Sequence, residues 1–91
     1  MLERARRKKQ TAITFVIPAD RPLGHVSVVG DFNDWQPADN LFVARADGTR
    51  AVTIALPNEQ RYAFRYLAHG GYWFDDESAD GHDGRNSIVH T

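Results

Sequence analysis

The sequence contains no cysteine, which excludes both a disulfide framework and a thiolate-held zinc site. No apolar run approaches the ~20 residues that a membrane-spanning helix needs. The charged start, Met1 to Lys9, is not followed by an apolar stretch and does not read as a secretory signal. The expectation is a cytoplasmic protein without a membrane partner. A helical hydrophobic period is missing from every window. An excess of one charge is missing too: eleven Lys and Arg stand against twelve Asp and Glu, a net of −1 that favours no class of partner. With 91 residues the chain has material for one domain. A unit of that size buries about 60–65% of its unfolded surface, too little for a deep enclosed active site.

What is present is a period of two. Ile13, Phe15 and Ile17 alternate with Thr14 and Val16 until Pro18 stops the run. His25 to Val29 reads as a second strand ended by Gly30, and Asp31 to Pro37 as a polar turn. Leu41 to Arg45 is a short strand before Asp47-Gly48, a hairpin signal. Val52, Ile54 and Leu56 alternate next, and Pro57 to Gln60 turns the chain. The clearest strand is Arg61 to Ala68, with Tyr62, Phe64, Tyr66 and Ala68 on one face and Arg61, Ala63, Arg65 and Leu67 on the other. His69-Gly70-Gly71 turns into Tyr72-Trp73-Phe74, residues 75–85 form a long polar loop, and Asn86 to His90 closes the domain. About seven short strands punctuated by turns predict an all-β, immunoglobulin-like antiparallel sandwich over residues 11–91. Its core should contain Phe15, Val28, Ile54, Tyr62, Phe64 and Tyr66, leaving Trp35 and Arg65 accessible to solvent.

Charge is segregated along the chain. Arg4, Arg6, Arg7, Lys8 and Lys9 crowd the first nine positions, and Asp75, Asp76, Glu77, Asp80 and Asp83 crowd a later stretch. Residues 1–10 carry no apolar stripe and are expected to be a flexible basic tail. A solvated arm is favoured over a nucleic-acid contact, because no basic stripe continues into the folded part. The acids read as a solvated loop. Asp76, Ser78, Asp80 and Gly81 imitate the start of a calcium loop, but its twelfth position is Ser87 and no helices flank it. His25, His69, His82 and His90 lack ligand spacing, so no metal or other cofactor is expected. Paired carboxylates could serve glycosidic chemistry, yet these lie in one loop with nothing to fix their separation.

Two segments resemble the glycogen-binding, isoamylase N-terminal family of early-set domains. These carbohydrate-binding modules precede the barrels of branching and debranching enzymes and occur in the β subunit of AMP-activated kinase. The first segment, Val26 to Gly30 with Asp31-Phe32-Asn33-Asp34-Trp35, is similar to the family's V-x-G-x-F-N-x-W. The second runs from Leu56-Pro57 through Tyr62-Ala63-Phe64-Arg65-Tyr66 to Gly70-Gly71-Tyr72-Trp73, ending in Asp80, Gly84, Asn86, Ser87, Ile88 and Val89. The resemblance implies a non-enzymatic module that holds an α-glucan such as glycogen or starch, with Trp35, Arg65, Trp73 and Asn86 as its contacts. Catalysis in such proteins belongs to a barrel of about 250 residues that this chain lacks.

The residue chemistry agrees with that implication. A glucose ring has an apolar C–H face suited to an indole, and hydroxyls that need directional partners such as the Arg65 guanidinium and the Asn86 amide. Each residue keeps a bland rival: Trp35 as apolar cover, Arg65 as ordinary surface charge, Asn86 as a cap on the long loop. Tyr72 competes with Trp73 for the platform, since alternation sends one inward and the other outward. The kinase-type modules carry an apolar wedge in the last loop, whereas His82-Asp83-Gly84-Arg85 is polar throughout. A second reading stands beside the first: a packing or protein-interaction domain of the same fold, associated with a glycogen-metabolising enzyme.

Overall fold

Residues 1–20, 22 and 24–91 are described by the structure, a computed structural model. Nine strands form among them: β1 (Leu2–Arg6), β2 (Gln10–Pro18), β3 (Val26–Gly30), β4 (Val43–Ala44), β5 (Thr49–Pro57), β6 (Arg61–Ala68), β7 (Tyr72–Phe74), β8 (Gly81–His82) and β9 (Ser87–His90). One sheet has the order β1-β2-β5-β4; the other runs β3-β6-β9-β8, with β7 also paired to β6. Every pairing is antiparallel, and the two sheets pack as a sandwich. No helix of the described residues is long and apolar enough to cross a membrane.

Alternation decides which side chains meet between the sheets. Ile13, Phe15, Ile17 and Leu56 from the first sheet face Val26, Val28, Phe64, Tyr66, Ala68 and Val89 from the second. Phe15 meets Phe64 edge-on with ring centroids 5.0 Å apart, and Phe42 meets Tyr66 at 5.4 Å and 88°. Tilted and edge-on contacts of this kind add to area burial because the ring edge is positive and its face negative. Of the expected core, Phe15, Val28, Phe64 and Tyr66 are buried. Ile54 and Tyr62 are only partly buried and pack against the margin of the cluster.

Three expectations need correction. Residues 1–10 are not a free tail, because β1 pairs with β2 from Leu2↔Phe15 to Arg6↔Thr11. Its arginines then reach the other sheet: Arg4 pairs with Asp80 and donates to the His90 carbonyl, and Arg6 donates to the Thr91 carbonyl at 3.2 Å. A strand with almost no apolar residues thus forms through its backbone ladder and through charge partners that are distant in sequence. Second, the 75–85 stretch is not all loop, as β8 pairs with β9 there. These two additions raise the strand count from seven to nine. Third, the expected strand Leu41 to Arg45 is divided: Leu41 bridges Ser27 of the second sheet, while β4 pairs with β5 of the first. The chain changes sheets at Phe42.

The acidic stretch is also more than solvated surface. Asp76 is buried and accepts from the Tyr66 hydroxyl at 2.6 Å, the Met1 ammonium at 2.8 Å, and the Ser78 N–H and hydroxyl at 2.8 and 2.7 Å. Burial on its own would raise the Asp76 pKa, but these donors together hold it below the usual carboxylate range. Asp80 behaves likewise: burial opposes ionisation, and the His90 N–H with the Arg4 guanidinium overcomes it. Both carboxylates have folded pKa values below their unfolded ones. Their contribution to stability is therefore present above the unfolded value of about 3.9 and is lost as pH falls through the folded value. Melting temperature should stay level between about pH 7 and 5 and drop below about pH 4. Thermal melts across that range check this, and substituting Asn at both Asp76 and Asp80 should flatten the acid limb.

Candidate functional site

The outward face of β6 is where the candidate residues gather. Arg65 pairs with Val29 of β3, and Leu67 pairs with Ser27 on one side and Trp73 of β7 on the other. All of these alternate away from Phe64 and Tyr66 and hence away from the core. Val29 and Ile88, which also alternate outward, are nevertheless buried, so the larger side chains on this face cover an apolar floor.

The turn between β6 and β7 decides which aromatic residue joins that face. Ala68 pairs with Tyr72, leaving three residues, His69-Gly70-Gly71, in the loop. Gly70 and Gly71 both have φ near +80° (84° and 80°), a region that glycine enters without the Cβ clash of other residues. The second glycine shifts the register by one and sends Trp73 outward with Arg65. Tyr72 falls on the opposite face, at the sheet margin, stacked on Phe74 at 5.7 Å and 60% exposed. Trp73 is 40% exposed, and the Arg65 guanidinium lies over its ring at 5.7 Å from the centroid. The Arg65 Nε donates to Asp75 at 3.1 Å, which fixes the fork and leaves its terminal N–H groups without a partner among the described residues.

Trp35 arrives from the loop after β3. Asp34 and Trp35 both take left-handed backbone, φ 54° and 58°, a conformation that costs a bulky residue energy and must be held by its surroundings. Asn33 supplies much of the restraint. Its Oδ1 accepts from the Gly30 N–H at 3.0 Å, and its Nδ2 donates to the Val28 carbonyl and the Asn40 side chain at 3.0 and 2.8 Å. The Trp35 N–H closes the turn onto the Gly30 carbonyl at 3.0 Å. The Asp31 carboxylate then accepts from the Trp35 indole at 3.1 Å and from the Ala63 N–H at 2.9 Å, tying the indole to the end of β6. Trp35 is partly buried. Ala63 and Leu67 are four residues apart, so the anchor points of the two tryptophans differ by about 13 Å along the strand.

Asn86 lies just before β9. Ser87, the next residue, pairs with Phe64 of β6. Its backbone closes a tight turn in which the Asp83 side chain accepts from the Arg85 and Asn86 N–H groups at 2.9 and 2.7 Å. Those two bonds, Asn86 first, hold the Asp83 carboxylate below the usual range. The capping of this loop is thus performed by Asp83 and by the Asn86 main chain. The Asn86 side-chain amide has no partner among the described residues.

The structure therefore brings Arg65 and Trp73 to one face, ties Trp35 to β6 through Asp31, sets Asn86 at the start of β9 next to the same strand, and leaves Tyr72 off the face. Sequence reasoning missed Asp31, Asn33 and Asp75, which set the orientation of the aromatic and basic groups. The N-x-W spacing after a buried strand carries a signal for Asn33; Asp75 has none beyond its proximity to Trp73. Two further clefts are present, one bounded by Arg4, Arg6, Asp80 and His90 and the other by Met1, Ile17, Tyr66 and Asp76; Asp80 and Asp76 in them are held by the bonds described above. Among the described residues no cluster of three or more His, Asp or Glu side chains converges as a metal site. The face offers an exposed indole flanked by the Arg65 N–H donors. No protein-family model and no curated protein matches the chain.

Two substitutions check the local argument. A Cβ at Gly30 would lie 2.5 Å from the Ala63 carbonyl oxygen and 2.9 Å from the Phe32 ring. Gly30→Ala should therefore cost about 1–3 kcal/mol in a denaturant melt, as overpacking does. Asp31→Ala should leave the melting temperature within a few degrees while the Trp35 indole N–H resonance moves and exchanges faster with solvent; an unmoved resonance would mean that Asp31 does not hold the ring.

Proposed function

We propose that this protein is a non-enzymatic α-glucan-binding module whose ligand lies on the outer face of the sheet built around β6. The reading is carried by one observation: Trp73 and Arg65 share one outward face above an apolar floor, with the indole of Trp35 fastened to the same strand through Asp31 and Asn86 just before the neighbouring strand β9. A hexose polymer offers what such a surface needs. Its rings present apolar C–H faces to the indoles, and its hydroxyl rims meet the Arg65 fork and the Asn86 amide. Stacking of nucleic-acid bases on aromatic rings is worth about 1–3 kcal/mol each, and sugars, being less polarisable, gain less. Weak binding at each contact suits a module whose polymeric ligand repeats the same epitope many times.

The resemblance of Gly30 to Trp35 and of Tyr62 to Trp73 to the glycogen-binding family supports the ligand class, and a cytoplasmic setting goes with it. The turn at His82 to Arg85 is polar and closely bonded, which removes an apolar wedge from that side. Linear chains are then bound as well as cyclic ones. A partner enzyme of glycogen metabolism belongs to this reading as the protein that the module would bring to the polymer.

Isothermal titration with maltoheptaose and β-cyclodextrin tests the proposal. Kd values on the order of 10 µM to 1 mM, roughly 4–7 kcal/mol, are expected. Trp35→Ala and Trp73→Ala should each weaken binding at least about tenfold, equivalent to ~1.4 kcal/mol, with melts close to the parent protein. Tyr72→Ala should retain affinity. Absence of any amide shift at millimolar maltoheptaose would instead favour a packing or interaction domain.

A further inference from the structure

The outer face carries an apolar residue that the four expected contacts do not include. Leu41 stands beside β3 through its bridge to Ser27, framed by the Val28 N–H to Asn40 carbonyl bond at 3.0 Å and the Phe42 N–H to Val26 carbonyl bond at 2.8 Å. Phe42 turns inward onto Tyr66, so its neighbour Leu41 turns outward, where it is 46% exposed. Ser27 pairs with Leu67, and Leu67 with Trp73. The result is one row perpendicular to the strands, Leu41–Ser27–Leu67–Trp73. Three inter-strand steps of about 4.8 Å make it about 14 Å long. Two residues along the strands, about 7 Å away, runs a second row, in which Val29 pairs with Arg65 and the Arg65 Nε donates to Asp75, while Asn86 precedes Ser87, the partner of the neighbouring Phe64.

From these rows we infer that Leu41 is a further contact of the ligand site, and that a glucan bound there crosses the strands from Trp73 to Leu41. This inference rests on the glucan-binding reading. The parallel rows match the cross-section of a sugar chain, whose ring faces are apolar and whose edges are hydroxylated. A chain laid along the Leu41–Trp73 row turns its ring faces to Leu41, Leu67 and Trp73 and one hydroxyl edge to Arg65 and Asn86. An apolar protein surface would gain from the first row but would leave the Arg65 terminal N–H groups and the Asn86 amide without partners, a loss that a hydroxylated ligand avoids. The span exceeds a single ring, so only an oligomer collects both ends. Leu41 then selects for chain length, and the path from Trp73 over Arg65 toward Trp35 is a second track leaving the same indole.

The test compares the parent protein, Leu41→Ser and Trp73→Ala by titration with maltose and maltoheptaose, with thermal melts and sedimentation velocity on each. Leu41→Ser should melt normally, weaken maltoheptaose binding about fivefold and change maltose binding less than about twofold; Trp73→Ala should weaken both. Full maltoheptaose affinity in Leu41→Ser, with Trp73→Ala defective, would remove Leu41 from the site and leave the glucan reading intact. Loss of a dimer in Leu41→Ser without change in glucan affinity would overturn the inference in favour of a second copy on this face. Failure of the parent protein to bind either sugar would bring down the glucan reading and this inference with it.

Discussion

A tyrosine hydroxyl placed inside an apolar core must find a partner, and the answer to that requirement organises one end of this protein. The Tyr66 ring is wedged among Phe15, Phe42, Phe64 and Phe74, while its hydroxyl reaches Asp76. Burial, then the Asp76 contact, raises the Tyr66 pKa, so the hydroxyl keeps its proton and remains a donor at neutral pH. Asp76 in turn draws in Ser78 and the start of β1. Phe74 packs on the same tyrosine, which fixes β7, and β7 carries Trp73 on its opposite face. The orientation of the exposed indole is thus inherited from a hydrogen bond on the inner side of the sheet.

β6 is the element through which the two sides communicate. Its odd and even positions divide the labour: Phe64 and Tyr66 fill the interior, whereas Arg65 and Leu67 form the platform. A one-residue slip of any partner would exchange these roles. The three-residue turn at Gly70-Gly71, the carboxylate of Asp31 on the Ala63 N–H and the Asp83 turn before β9 each pin one neighbour of β6 in register. Each of the three also places a candidate ligand contact: Trp73, Trp35 and Asn86 respectively. Register control and site construction are one task in this fold.

How much of this could be read from the sequence follows from where the information lies. Strands with a buried face announce themselves by alternation, so β2, β3, β5, β6 and β9 and the sandwich class were legible. The register after the two-glycine turn was legible as a pair of alternatives, and the pairing of Leu67 with Trp73 decides between them. β1 was not legible, because Leu2 is its one large apolar contact with the core and its other partners, Asp80, His90 and Thr91, are remote in sequence. β8 was hidden for the same reason: Gly81 and His82 have no strand character beyond what Ser87 and Ile88 impose on them. Leu41 was assigned to a strand, but nothing local reveals that the chain changes sheets at Phe42. The basic and acidic stretches, which looked like two independent solvated regions, are joined through Arg4 on Asp80, beside the Met1 ammonium on Asp76.

The short outer strands have a consequence for behaviour at high local concentration. When copies of a sheet protein are crowded together, neighbouring sheets with long bare edges zip into continuous strands. Here β4 and β8 are two residues each, too brief to template an added strand. Of the five-residue edges, β1 presents Glu3, Arg4 and Arg6, charges that an approaching copy would have to desolvate, and β3 is covered by Asn40 to Phe42 through the Val28 N–H to Asn40 and Phe42 N–H to Val26 bonds. The protein can therefore keep an apolar, aromatic face open to its surroundings without offering a lengthwise seam along which copies of it would aggregate.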